Sequence, residues 1–226
     1  MRRKTIAVLG VALGIGLTVS ACDVKLRINR ERDSLSYDVT DKVAALVVRT
    51  GAGDVTVNES DRTGIQVAET RDWSGAKPQN GHRVDGDTLI LEYDCRNCGI
   101  DYRIDVPRGV EVKIDSGAGD ITLRSLTGPV RLSTGAGDVD ANGLAGKRVS
   151  VDTGSGDVKL KFASAPDEVS TETGAGSATL WVPQGSYNVT AETAVGSRRI
   201  DVSRDSSASR SISVKTGVGD IKVLKL

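Results

Sequence analysis

The clearest order in the chain is an alternation of apolar and polar residues that stops at a pair of glycines and then resumes. Val149, Val151 and Thr153 alternate with Ser150 and Asp152, the chain passes through Gly154-Ser155-Gly156, and Val158, Leu160 and Phe162 then alternate with Asp157, Lys159 and Lys161. A period of two puts one face in a core and the other in solvent, so each run predicts a half-buried strand. The glycines suit a sharp bend between two strands, where close backbone approach or positive φ costs least without a Cβ. One unit therefore reads strand, glycine bend, strand, turn. No segment carries a convincing helical period.

The unit recurs seven times: TGAGDVTV at Thr50, SGAGDITL at Ser116, TGAGDVDA at Thr134, TGSGDVKL at Thr153, TGAGSATL at Thr173, TAVGSRRI at Thr193 and TGVGDIKV at Thr216. From the second copy onward the steps are 18, 19, 20, 20 and 23 residues, the period of a solenoid rung. The predicted fold is all-β, a β-solenoid (β-helix-like) single domain with rungs of about 19 residues over 43–226. The Thr or Ser opening each bend shares the parity of the inward valines, which predicts an internal ladder of Thr50, Ser116, Thr134, Thr153, Thr173, Thr193 and Thr216. The outer turns vary from rung to rung, as loops that only reconnect rungs do, and two of them read Val-Pro-x-Gly, a favoured type I turn.

Sixty-six residues separate the first two copies. They hold Trp73, His82 and the Cys95–Cys98 loop, and the segment 71–100 is expected to be an irregular insertion, either a cap on the stack or a binding element. Residues 22–42 are charged and weakly patterned, as a spacer is, so folding is expected to begin near Val43.

Arg2, Arg3 and Lys4 precede an apolar run from Ile6 to Val19 that ends in Val19-Ser20-Ala21-Cys22. This is the pattern of a signal peptide (1–21) with a lipobox, and the run is shorter than the roughly 20 residues a permanent membrane helix needs. Resemblance to bacterial lipoproteins implies diacylglycerol, with palmitate, on Cys22. The expectation is an exported protein, held by lipid on the extracellular or periplasmic face of the cell membrane.

Composition narrows the chemistry. Aromatics are 3% of the chain, so small β-branched residues must build the core. Thirty basic residues balance thirty acidic ones, and loss of Arg2, Arg3 and Lys4 leaves the mature protein mildly acidic. The cations are scattered, so neither a nucleic-acid footprint nor a basic membrane-hugging surface is expected.

The repeated G-x-G-D-V-x-V units, the V-P-x-G turns and the lipobox together resemble the bacterial putative-adhesin domain of unknown function built from β-strand repeats, over roughly Val43 to Leu226. The resemblance implies a β-solenoid-like fold, a secreted, tethered or surface setting, and no known catalytic site. No binding residue carries over.

Few residues could carry chemistry. The lone His82 sits in a Gly/Pro/Asn-rich stretch and reads as a solvated loop residue, not as the base of a triad. Cys95, Cys98 and His82 fall short of a structural zinc set, and in an exported chain Cys95 and Cys98 read as a disulfide. The bend aspartates Asp54, Asp120, Asp138, Asp157 and Asp220 recur where the other two copies have Ser177 and Ser197. Either each carboxylate accepts N–H groups of its own bend, or successive carboxylates share a cation such as calcium, for which Ser is a poor substitute. The structural reading is preferred, with no metal and no cofactor. The functional expectation is a non-catalytic binding, adhesion or scaffold module meeting a cell-envelope polymer or protein. The alternatives are an envelope-stress or signalling accessory bound to a membrane partner, and a carbohydrate-active β-solenoid enzyme.

Overall fold

The computed structural model describes residues 30–79, 81–93, 95 and 97–226; the expected signal peptide and the Cys22 lipidation site lie outside the described residues. Among the described residues the chain forms twenty strands and no helix. The first seven are β1 (Glu31–Val39), β2 (Ala45–Thr50), β3 (Val55–Glu59), β4 (Ile65–Trp73), β5 (His82–Asp85), β6 (Thr88–Glu92) and β7 (Cys98–Val106). Regular rungs follow: β8 (Glu111–Ala118) with β9 (Ile121–Arg124), β10 (Val130–Ala136) with β11 (Val139–Leu144), and β12 (Arg148–Ser155) with β13 (Val158–Phe162). Next come β14 (Glu168–Ala175) with β15 (Ala178–Val182), and β16 (Ser186–Val195) with β17 (Arg198–Asp201). After the short β18 (Ser203–Arg204), β19 (Ser211–Val218) and β20 (Ile221–Lys225) make the last rung in sequence.

The two strands of a rung enter different sheets, so the stack has two ten-stranded layers. Sheet A runs β1-β4-β7-β3-β9-β11-β13-β15-β20-β17, and sheet B runs β18-β16-β19-β14-β12-β10-β8-β2-β6-β5. Rung-to-rung pairing is parallel and in register, with Thr134 opposite both Ser116 and Thr153. Register turns the alternation into columns: Leu46, Val112, Val130, Val149, Val169 and Ile212 stack in sheet B, and Val57, Leu123, Ala141, Leu160, Leu180 and Val223 in sheet A, all buried. Each fully buried Val, Leu or Ile contributes roughly 1.5–3 kcal/mol, and a lone rung buries none of them on both sides, so the stack is the stable unit.

At the ends, chain order and spatial order part. β19–β20 sits between β14–β15 and β16–β17, so the sixth glycine-bend copy becomes the outermost rung; the residues between β18 and β19 carry the chain back over it. The 23-residue last step is this crossover. At the other end β6 and β7 stack outside β2 and β3. The segment 71–100 is therefore not an insertion beside the repeat. It contributes the end of β4, then β5, β6 and the start of β7, and β6 with β7 makes a rung whose bend carries Cys95 and Cys98 in place of Gly-x-Gly.

The expected spacer also shortens. Residues 31–39 form β1, antiparallel to β4 from Glu31↔Trp73 to Val39↔Ile65. β1 escapes a sequence reading because it is an edge strand, polar on its solvent face, with Asp33 at an inward position.

The second glycine of each bend fixes how closely rungs approach. Gly137 and Gly156 have φ of +145° and +146°, and a Cβ on Gly156 would fall far inside the contact distance of the Gly137 carbonyl oxygen, as one on Gly137 would against Gly119. Three hydroxyls of the Thr ladder cap such carbonyls, Thr173 Oγ1 donating to Gly156 O (3.2 Å), Thr216 to Gly176 O (2.9 Å) and Thr193 to Gly219 O (3.0 Å), whereas Thr50 and Thr134 donate to Ala52 O and Ala136 O of their own bends and the buried Ser116 and Thr153 hydroxyls have no protein partner. The ladder is thus in register as expected, but these hydroxyls meet backbone, not one another.

A pair of substitutions separates backbone strain from steric exclusion. Gly109 has φ +80° with open space around it, so Gly109→Ala is expected to cost about 1–2 kcal/mol of unfolding free energy in urea. Gly156→Ala adds the clash with a neighbouring backbone and is expected to cost more than about 4 kcal/mol or to prevent folding; equal losses would show that rungs can move apart.

Candidate functional site

The bend aspartates form a continuous line along one edge of the stack. Asp120 N–H donates to Asp54 Oδ1 (2.9 Å), Asp138 N–H to Asp120 Oδ1 (2.8 Å), Asp157 N–H to Asp138 Oδ1 (2.8 Å) and Ser177 N–H to Asp157 Oδ1 (2.8 Å). Beyond them Asp220 N–H meets Ser177 Oγ (3.3 Å), and Ser197 N–H meets Asp220 Oδ1 (2.8 Å). Each carboxylate thus serves the next rung, not its own bend as the sequence suggested. The line begins one rung earlier, where Asp54 N–H donates to Asp101 Oδ1 (3.0 Å). Asp101 has no glycine bend before it, so only register reveals it.

Magnitudes explain why like charges tolerate this spacing. Carboxylates one rung apart, about 5 Å, repel by roughly 1 kcal/mol in water-like surroundings. One hydrogen bond to a charged acceptor links each pair and contributes about 1.5–3 kcal/mol, so attraction wins. Ser177 and Ser197 fit because a hydroxyl also accepts an N–H.

The cap at the β1 end holds a buried polar cluster. The inward positions of β4 run Ile65, Val67, Glu69, Arg71, Trp73, and all are buried. Glu69 accepts the hydroxyls of Tyr37 (2.6 Å) and Tyr93 (2.5 Å), while Arg71 grips Asp33 through Nε and Nη2, both at 2.8 Å. Lys77 Nζ adds a contact to Asp33 at 2.6 Å. The hydrogen bonds from Arg71 and Lys77 hold the Asp33 carboxyl below the usual carboxylate range. Burial and the bond to Glu69 push the Tyr93 hydroxyl up to about 12. His82 stacks on Tyr37, ring centroids 4.3 Å apart. Beside this cap Cys95 and Cys98 are joined, with Cα atoms 5.9 Å apart. Sequence reading missed Glu69 and Arg71 because charged residues at inward positions look like the end of a strand; continuation of the period to Trp73 was the signal.

A different environment occupies the outer face of sheet A at the other end. Trp181 lies between buried Leu180 and Val182 on β15, so it points outward, with Lys161 opposite on β13 and Leu224 opposite on β20. The adjacent outward column holds Lys159, Thr179, Lys222 and Arg199. Asp140, Asn142, Lys159, Lys161, Trp181 and Lys225 line a shallow hollow here. Asp140 is engaged by Arg124 at 2.6 Å, and Arg199 lies 3.9 Å from Asp201. Among the described residues Lys159, Lys161, Lys222 and Lys225 have no carboxylate partner within salt-bridge distance. The charge balance of the whole chain thus conceals a local basic surface, contrary to the sequence expectation: cations scattered in sequence are gathered by rung stacking.

Two outcomes test the Asp line. Asp157→Ala strands the Ser177 N–H and is expected to cost about 1 kcal/mol, with Asp157→Asn restoring most of it and chelator leaving Tm unchanged; a calcium-dependent rise in Tm would make the line a cation site. The Ser197 N–H and hydroxyl hold the Asp220 carboxyl below its ordinary 3.8. A carboxyl depressed on folding stabilises above its unfolded pKa and loses that contribution as pH falls through the folded value, so Tm should be level near neutrality and fall below about pH 4. Asp220→Asn should reduce that fall.

For Cys95 and Cys98, a four-residue loop constrains the unfolded chain by about 2 kcal/mol. The Cys95→Ser, Cys98→Ser double variant is therefore expected to fold with a modestly lower Tm, while two free thiols in the native protein would contradict a bridge.

Among known structures the chain resembles a putative cell adhesion protein from Clostridium sporogenes ATCC 15579, at 17% identity and a TM-score of 0.52, covering 87% of this chain and 100% of that one. It also resembles a putative adhesin from Bacteroides fragilis NCTC 9343, at 18% identity and a TM-score of 0.51, covering 85% and 97%. At these identities the likeness is one of fold. No curated protein matches the chain. The model of the Toastrack DUF4097 family matches residues 101–224, more than half of the chain, from β7 through β20. This chain is a member of the Toastrack DUF4097 family.

Proposed function

We propose that the chain is a lipid-anchored, non-catalytic binding module of the bacterial cell envelope that meets a polymer or protein through the outer face of sheet A. The observation that carries this reading is the outward Trp181 set among unpaired lysines on a rigid stack of parallel strands. Trp181 is a half-buried indole on the solvent side of the sheet, and aromatic groups of this kind are characteristic anchors of recognition surfaces. The adhesin-named structural relatives support a surface role, and His82, stacked on Tyr37, is committed to the cap instead of activating a nucleophile.

Anchoring gives the face a place. β1 begins nine residues after Cys22, so a lipid there keeps the cap within about 30 Å of the membrane. Trp181 on β15 lies seven strands beyond β1, about 34 Å further along the stack. An upright stack would present the face above the bilayer, within reach of envelope polymers.

Labelled palmitate should enter the wild type and be absent from Cys22→Ala, which should also leave the membrane fraction; equal labelling of both would end the lipoprotein reading. In living cells a photo-crosslinker at Thr179 is expected to capture an envelope component. Capture of nothing, or of an integral membrane protein alone, would count against this reading, the latter in favour of a signalling accessory.

A further inference from the structure

We infer that the Trp181 face of sheet A binds an anionic glycan, an extended sugar polymer carrying carboxylate or phosphate groups. The inference rests on the binding-module reading and names the ligand class for the same face.

Two observations of different chemistry coincide there. The first is the indole of Trp181, outward-facing and flanked in register by the aliphatic part of Lys161 and by Leu224. A flat aromatic beside aliphatic groups suits the apolar face of a sugar ring, which presents C–H groups to a π surface, and it has no feature that favours a free phosphate. The second is the charge. Lys159, Lys161, Lys222 and Lys225 surround the indole, exposed and without a carboxylate within salt-bridge distance among the described residues, while Asp140 and Asp201 on the same face lie beside Arg124 and Arg199. The bend carboxylates at the margin, Asp157 and Asp220, are turned to the Ser177 and Ser197 N–H groups. Positive charge is therefore left over on this face although the chain as a whole has none to spare.

Spacing favours a polymer over a small anion. Lys159 and Lys222 sit in one column two strands apart, roughly 10 Å, with Arg199 one strand further. Such a row matches charges repeated along an extended chain, while the parallel column of Lys161, Trp181 and Leu224 supplies the stacking surface. The hollow is shallow and open to solvent, which suits a polymer lying across strands.

The test uses the full chain with polygalacturonate as the anionic glycan, dextran as the neutral glycan, polyphosphate as the anion without sugar rings, and vesicles containing phosphatidylglycerol. Affinity electrophoresis at about 50 mM salt should show retardation by polygalacturonate, weaker retardation by polyphosphate and none by dextran, with the effect falling as salt rises. Trp181→Ala should weaken polygalacturonate binding about tenfold or more while leaving polyphosphate binding unchanged. Lys159→Glu with Lys161→Glu should weaken both, with wild-type Tm for either variant confirming that the stack is intact. Failure to bind polygalacturonate, or equal binding by wild type and Trp181→Ala, would overturn the inference. So would vesicle binding that depends on Trp181 without glycan binding, which would make this a membrane-resting face. If isolated envelope material captures wild type and Trp181→Ala equally, the binding-module reading survives and this assignment of its ligand does not.

Discussion

The structure depends on how closely one bend can lie on the next. At the second bend glycine the backbone of each rung occupies the space a side chain would need, so the carbonyl of Gly137 faces the Cα of Gly156 directly. That proximity brings the Asp138 carboxylate to the Asp157 N–H and the Thr173 hydroxyl to the Gly156 carbonyl. Glycine and Asp in the repeat are two consequences of one constraint, that the bend must be thin and its polar backbone groups must find partners on a neighbouring rung, and at Thr173, Thr193 and Thr216 the hydroxyl serves the same end. The valine and leucine columns then stack because the bends hold the register to a single residue, and a slip by one would turn every inward side chain outward.

This explains what was legible in the sequence. Strands, bends and rung period could be read from Val149 to Phe162 alone, because alternation and glycine punctuation both reflect local geometry. The order of rungs could not. Nothing in TGVGDIKV tells it to insert between two earlier copies, since every rung offers the same edge; the 23-residue step was the only trace. The cap was hidden for the opposite reason. Glu69, Arg71 and Asp33 satisfy one another, so residues typical of solvent occupy inward positions and the strands carrying them resemble a spacer and a loop.

The candidate face shows the same division between local and long-range information. Lys159, Lys161, Trp181 and Lys222 lie on three strands, and in sequence they are isolated residues at ordinary outward positions. Stacking at roughly 5 Å per strand converts them into one surface, which net charge cannot foresee. A solenoid makes such surfaces at little cost: outward positions do not support the core, so their side chains vary while Leu180 and Val182 beneath them remain in their columns.

The central claim, that bend N–H groups are locked to the side chains of adjacent rungs, is tested most directly by amide hydrogen exchange. If it holds, the N–H groups of Asp120, Asp138, Asp157 and Ser177 will exchange as slowly as those of the neighbouring core strands although they sit at the surface, and Asp157→Ala will release Ser177 alone among them. Exchange of all four at the rate of free loop amides would contradict the account.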